Sequence, residues 1–286
     1  MKKICFIINP ISGGGRKNIL LEIEKNLKGL EADIFISQYA GHATEFAREN
    51  RDNYSTIVAV GGDGTVNEIA SSLINCDCSL AIIPTGSGNG LAKALKIPKS
   101  VEKAINLIKK AKSEKIDCIK INDNYSFNVA GTGFDAVVAH KFADSKKRGF
   151  FSYLKIIFKE FLKNRKFEIN YSINNKEYTS NCFLFTIANT SQFGNNAYIC
   201  PPAIPNDGLL NLTILKPFGL WKIPILVFRL FTVRMHKSSS FSQIPLREFK
   251  ILNNKEMLFH CDGEPKKFNG NIDIEIIEKA VKVIVP

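Results

Sequence analysis

The stretch Val60-Gly61-Gly62-Asp63-Gly64-Thr65-Val66-Asn67-Glu68 does most to limit how this chain can fold. The β-branched, apolar run Thr56-Ile57-Val58-Ala59-Val60 before it reads as a buried strand. Glycines then turn the chain without side-chain obstruction, so backbone N–H groups can approach a bound group closely. Helical spacing begins at once, with Val66, Ile69, Ala70 and Leu73. A helix N-terminus presents unpaired N–H groups and a positive dipole end, which suits a phosphate. Asp63 is out of place in such a cradle unless it holds a cation or handles a proton. A plain strand–turn–helix corner needs one glycine, not three around an acid.

The same grammar recurs on both sides. An apolar run at 4–8 enters Asn9-Pro10-Ile11-Ser12-Gly13-Gly14-Gly15-Arg16, and helical spacing follows through Ile19, Leu20, Ile23 and Leu27. Gly29 sits where a C-cap glycine would. No Gly-Lys-Ser/Thr follows the glycines, so this is not a Walker A loop. A second strand is expected at 32–36, with His42 as a turn residue before the next helix. A fourth, at 79–83, enters Pro84-Thr85-Gly86-Ser87-Gly88-Asn89-Gly90, and helical steps resume at Val101, Ile105 and Ile108. Repeated strand–loop–helix units imply a parallel sheet with helices on both faces. Ligands bind such sheets at the carboxyl ends of the strands, where these three loops converge, so the expected ligand carries phosphate.

After about residue 122 the pattern changes to short apolar or alternating runs at 125–130, 167–173, 182–188, 209–215, 249–252, 257–261, 272–277 and 281–285. Asn174-Asn175, Asn253-Asn254 and Asn269-Gly270 mark turns between several of them. Amphipathic helical inserts are expected at 150–162, with Phe151, Leu154, Phe158 and Phe161 on one side, and at 220–233. The 286 residues exceed the ~100–200 usual for one domain. The expected fold is therefore α/β plus all-β: a doubly wound parallel-sheet domain at 1–122 that takes a phosphate-bearing ligand, and an antiparallel β domain, sandwich or barrel, at 123–286.

A net charge of +12 implies an anionic partner. There is no nucleic-acid motif and no basic tract beyond Lys146-Lys147-Arg148, so nucleic acid is not expected. Of the seven cysteines, Cys5, Cys118, Cys182, Cys200 and Cys261 are dispersed and Cys76 and Cys78 are too close for a zinc knuckle, so they read as reduced thiols of a cytoplasmic protein. The apolar run near the start stops at Asn9-Pro10, which makes it a strand rather than a signal peptide. The longest other apolar stretch, 218–233, is interrupted by Lys222, Pro224 and Arg229, so no membrane span is expected.

These residues carry a resemblance. Gly61-Gly62-Asp63-Gly64-Thr65-Val66-Asn67-Glu68 is similar to the signature of the diacylglycerol-kinase catalytic family, which includes soluble bacterial lipid kinases and sphingosine kinases. Asn9-Pro10-Ile11-Ser12-Gly13 resembles its first nucleotide loop and Pro84-Thr85-Gly86-Ser87-Gly88-Asn89 its third. Gly131-Thr132-Gly133-Phe134-Asp135 looks like its Gly-Phe-Asp segment, and Asp207-Gly208-Leu209-Leu210 and Asp262-Gly263-Glu264 its two acidic motifs. The match runs in order through nearly the whole chain.

The resemblance implies ATP-dependent, Mg²⁺-assisted phosphorylation of a lipid hydroxyl, diacylglycerol or a related lipid, with 1–122 as a doubly wound nucleotide-binding domain and 123–286 as an antiparallel β-sandwich, the lipid-substrate domain. It implies nucleotide contacts at Asn9, Pro10, Ile11, Ser12, Gly13, Ser37, Gly61, Gly62, Asp63, Gly64, Thr65, Val66, Asn67 and Ser87. Asp207 with the carbonyls of Ile204 and Leu209 would hold Mg²⁺, and Glu264 or Asp262 would be the base. Residues two apart on an extended strand point the same way, which leaves that choice open. Asp63 would act through Mg²⁺–ATP, by way of metal-bound water. The family's bacterial diacylglycerol kinases tend to carry a Lys and an Asp where this chain has Gly14 and Gly90, and its third loop leans toward the sphingosine-kinase form. A sphingoid-base kinase, an NAD kinase-like enzyme and a non-catalytic regulator are the alternatives. The expected partner is a membrane lipid at an anionic bilayer surface, reached by peripheral association through Lys146-Lys147-Arg148 and both inserts, with a homodimer left open.

Overall fold

The chain divides into two units, Met1–Ile116 joined by Lys279–Pro286, and Asp117–Glu278. The computed structural model describes residues 3–12, 18–110, 112–145, 150–161, 163 and 166–286, without the side chains of 150–154. Gly13 to Arg16 of the first loop, the basic run Lys146-Lys147-Arg148, Leu162, and the side chains of Phe151 and Leu154 lie outside the described residues.

The first unit holds strands β1 (Lys3–Ile8), β2 (Ala32–Ile36), β3 (Tyr54–Gly61) and β4 (Ser79–Pro84). Its helices are α1 (Ile19–Asn26), α2 (His42–Asn50), α3 (Asp63–Ser72), α4 (Gly90–Ala94) and α5 (Val101–Lys110). β1 pairs in parallel with β2 and β3, and β3 with β4, giving the order β2-β1-β3-β4. Parallel neighbours need helical crossovers, and these cover both faces. Phe6, Ile8, Val58, Val60 and Ile83 pack with Ile23 of α1 and Ile105 of α5. The alternate residues Cys5, Ile7, Ile57, Ala59 and Leu80 are buried as well, and α3 packs on β3, with α2 on α3. The doubly wound sheet expected from the sequence is present.

β5 (Ser113–Ile121) begins in the first unit and ends in the second. The second unit continues with β6 (Asn124–Ser126), β7 (Val129–Gly133), α6 (Phe134–Ala143), α7 (Phe150–Phe161), β8 (Phe167–Ile173), β9 (Lys176–Cys182) and β10 (Leu184–Ala188). Then come β11 (Leu210–Leu215), α8 (Ile223–Phe231), β12 (Phe241–Leu246), β13 (Glu248–Leu252), β14 (Met257–Cys261), β15 (Glu264–Phe268) and β16 (Ile272–Ile284). One antiparallel sheet runs β12-β11-β10-β7-β14-β15. The other takes in β9, β8, β13 and the start of β16. Phe185, Ile187, Leu212 and Phe259 of the first meet Ile169, Phe249, Ile251 and Ile274 of the second in one core, so this is the expected sandwich.

Several features were not read from the sequence. By contacts the units divide at Ile116/Asp117, within β5, and Lys279–Pro286 return to the first unit, because Val283 pairs in parallel with Leu80 of β4. The runs at 272–277 and 281–285 form one strand whose in–out alternation breaks before Lys279, at φ +52°. α6 lacks a readable helical stripe, since small or apolar Ala136, Val137, Val138 and Ala139 surround it. No helix among the described residues is long and apolar enough to cross a membrane.

Candidate active site

In the first unit the loops after β1, β3 and β4 are tied together. With the strand order β2-β1-β3-β4, the chain changes direction between β1 and β3, the place where such sheets open a crevice. Asn9 follows β1 and spans that gap. Its N–H donates to Val60 O at 3.1 Å and its Nδ2 to Thr65 Oγ1 at 3.0 Å, while its Oδ1 accepts Ile11 N–H at 3.1 Å. Ser12 Oγ accepts from Thr85 Oγ1 at 3.1 Å, which joins the first loop to the third. Ser37, just past β2, is buried and donates from N to Ile8 O at 2.9 Å. Pro10, Ile11 and Ser87 stay exposed at the rim, whereas Thr65 and Val66 are buried on α3, leaving mainly backbone for a ligand there.

Two glycines are demanded by close approach. A Cβ on Gly86 would lie 2.6 Å from Gly62 Cα, and one on Gly61 would lie 2.4 Å from Thr65 Oγ1. Asp63 opens α3, and its carboxylate accepts Asn89 N–H on Oδ2 at 2.8 Å and Gly90 N–H on Oδ1 at 2.6 Å. The acid that looks misplaced in a phosphate cradle therefore braces the second loop against the third. Asn67 accepts Ser71 Oγ at 3.5 Å one turn on, and Gly64 lies in the first turn of α3. The side-chain oxygen of Asn89 is buried, and no hydrogen-bond partner for it lies among the described residues.

In the second unit, strand register gathers residues that are far apart in sequence. Ala188 pairs with Asn211 and Val129, and Cys261 with Ala130 and Glu264. One end of the six-stranded sheet therefore presents, across β11, β10, β7, β14 and β15, the residues Asp207, Asn189, Asn128, Asp262 and Glu264.

Asp262 and Glu264 do not lie two apart on one strand. Asp262 and Gly263, at φ +52° and +87°, form the two-residue turn between β14 and β15, which corrects the assumption that both carboxylates point alike. Asp262 turns inward and accepts Ser126 Oγ at 2.5 Å and the N–H groups of Phe127, Asn128 and Val129 at 2.9–3.2 Å. Glu264 opens β15 exposed, and among the described residues no hydrogen bond or ion pair holds its carboxylate.

Asp207 is exposed, and its Oδ1 accepts Leu209 N–H at 3.0 Å. The turn is fixed from below by buried Asp117, whose Oδ2 accepts Gly208 N–H at 2.8 Å and whose N–H donates to Pro205 O at 2.6 Å. No cluster of three His, Cys, Asp or Glu suited to a metal occurs among the described residues. The carboxylate of Asp207 and the carbonyls of Ile204 and Leu209 are nonetheless hard oxygen donors of the kind Mg²⁺ takes.

Sequence reasoning gave no role to three supporting residues. Asp117 is the acid inside the apolar run Ile116-Asp117-Cys118-Ile119, and a buried acid on a strand is itself a signal. Asp135 Oδ2 accepts Thr186 Oγ1 at 2.7 Å and lies 3.1 Å from His260 Nε2. His260 Nδ1 accepts Gly263 N–H at 3.3 Å, so its hydrogen sits on Nε2 and the ring links α6 to the Asp262-Gly263 turn.

Residues 3–121 match the diacylglycerol kinase catalytic domain, and residues 128–285 match the YegS C-terminal NAD kinase beta sandwich-like domain. A protein of Enterobacter sp. (strain 638) named "Probable lipid kinase YegS-like" is 30% identical over 292 residues, covering 98% of this chain and 95% of that protein. This chain belongs to the YegS-like lipid kinases. A relative of the same name in Serratia proteamaculans (strain 568) is also 30% identical, over 98% of this chain and 93% of its own. A crystal structure of a diacylglycerol kinase from Bacillus anthracis str. Sterne has the same fold, with a TM-score of 0.75 at 20% identity, covering 100% of this chain and 97% of that one. As a YegS-like lipid kinase, the chain carries its braced glycine loops in the part matching the catalytic domain, and its row of acids in the part matching the sandwich.

Proposed function

We propose that this lipid kinase transfers the γ-phosphoryl group of ATP to the free hydroxyl of diacylglycerol or a closely related lipid, with Glu264 as the base. The single observation that carries this reading is the division of labour at the Asp262–Glu264 turn. Four donors occupy Asp262, while Glu264 keeps an exposed carboxylate. A general base must present an open lone pair to the proton it takes, and only Glu264 of the two does so.

The roles follow from placement. The amides around Gly61–Gly64 suit the phosphates, with Asn9, Ser12, Ser37 and Asp63 holding those loops in register. Asp207 and the carbonyls of Ile204 and Leu209 would hold Mg²⁺, which supplies charge neutralisation for the phosphates. Glu264 takes the proton of the lipid hydroxyl as its oxygen bonds to the γ-phosphorus. The bond from that phosphorus to the bridging oxygen breaks, and its electron pair leaves on ADP. The acceptor's chains stay in a bilayer, so the enzyme works at a membrane surface.

The test is transfer from radiolabelled ATP to a panel of dispersed diradylglycerols, sphingoid bases and NAD, with and without Mg²⁺. Labelled phosphatidic acid that depends on Glu264 supports the reading. Label in sphingoid base alone shifts the acceptor class, consistent with the Ser87-Gly88-Asn89-Gly90 form of the third loop, and label in NAD alone overturns the lipid assignment.

A further inference from the structure

We infer that the 3₁₀ turn Leu220–Lys222 and α8 form an anchor that inserts into the interface of an anionic bilayer, with Trp221 as its leading side chain. This deepens the lipid-kinase reading and rests on it for the choice of occupant. α8 is apolar on two faces. Leu226 is buried, and Ile223 and Leu230 pack beside it against Phe183, Leu215 and Phe218. On the opposite face Ile225, Phe228 and Phe231 belong to no apolar cluster among the described residues, and Phe228 and Phe231 are each 51% exposed. Trp221 is 78% exposed, beside exposed Leu220. A contiguous apolar surface of this kind marks an interaction site.

Charge selects the occupant. Between Asp207 and Glu248 the chain contains no Asp or Glu, while Lys216, Lys222, Arg229, Arg234 and Lys237 fall in that span. Lys222 Nζ lies 5.2 Å from the Trp221 ring centroid, and Arg234 lies over Phe228 at 6.0 Å. Aromatic bodies flanked by long cations place rings at the acyl boundary and charges among anionic headgroups. A second copy of the chain fits poorly. A two-fold contact through this face would oppose like cations, and the segment that carries them has no Asp or Glu of its own to pair with them.

α7 contributes less than its sequence suggests. Phe161 packs on Phe134 and Phe183, and Glu160 is buried beneath Lys141 and Lys163. Only Phe158, 68% exposed, could join the anchor from its described side chains.

Trp221 is the one tryptophan of the chain, so the intact protein reports its own insertion. Emission is recorded on adding phosphatidylcholine vesicles with and without phosphatidylglycerol, in the absence of ATP. A shift to shorter wavelength that needs phosphatidylglycerol and is reversed by salt is the expected result. Phe228→Ser with Phe231→Ser, both at exposed positions, should weaken vesicle binding ~10-fold or more. The variant's circular dichroism and its ATP affinity should stay unchanged. No shift with either vesicle, or an equal shift with both, overturns the anchor, and so does a concentration-dependent shift without vesicles, which would mean self-association. Vesicle binding without any lipid phosphorylation leaves the anchor standing and removes the kinase reading. Normal phosphorylation of dispersed lipid without vesicle binding does the reverse.

Discussion

At the residue scale, two acids that look equivalent in sequence should fail in different ways. Glu264→Gln removes an exposed proton acceptor and should cut kcat by ~10²–10⁴ while ATP binding and Tm hold. Asp262→Asn places an amide NH₂ among groups that already donate, so it should cost about 1–3 kcal/mol of stability, read as a lower denaturant midpoint. A stable Asp262→Asn protein with normal Tm would contradict the structural role. The letters Asp262-Gly263-Glu264 were legible as a motif but not as a turn. Nothing local says that Asp262 adopts φ +52°, because that depends on the Ser126–Val129 segment that receives it. His260 was hidden for the same reason, since its partner Asp135 lies far away in the chain. His260→Gln should lower kcat with little change in the KM for ATP, while a loss of Tm without a kcat effect would make it merely structural.

At the element scale, the parallel half was readable because its strands are continuous apolar runs and its loops announce themselves with glycine. The three loops were expected to converge, and the bonds from Asn9 to Thr65, Thr85 to Ser12, and Asp63 to Asn89 and Gly90 show how. The sequence offered no sign that Gly62 and Gly86 touch through their Cα atoms. Gly86→Ala should therefore push α3 and the third loop apart, weakening ATP binding and costing ~1–3 kcal/mol, the usual scale of overpacking. ATP binding and unfolding measured on the same protein would check it; wild-type values in both would mean the loops yield freely. The β half was readable in its runs and turns but not in its order, because antiparallel register is set by cross-strand packing rather than by any one segment.

At the scale of the whole molecule, the seven cysteines are free thiols, and burial dominates their chemistry. Burial, with Asp33 nearby, pushes the Cys5 thiol from 9.0 up to about 12, and burial raises Cys182 to about 12. Each fold-state pKa lies above its unfolded value, so the stability these thiols add is complete below about pH 9 and is lost as pH climbs toward 12. A thiol reagent at neutral pH should reach half-buried Cys76 slowly and the other six only on unfolding; fast labelling of several in the native protein would contradict this burial. The return of β16 has another consequence, one of timing. Val281, Val283, Ile284 and Val285 are buried, Ala280 O accepts Asn75 N–H, and Val285 N–H reaches Lys112 O. A ribosome releases these residues only after the whole second unit has emerged. The parallel-sheet half, though made first, must wait on the exit tunnel with an unfilled sheet edge beside β4, and it is the later half that can finish folding without it.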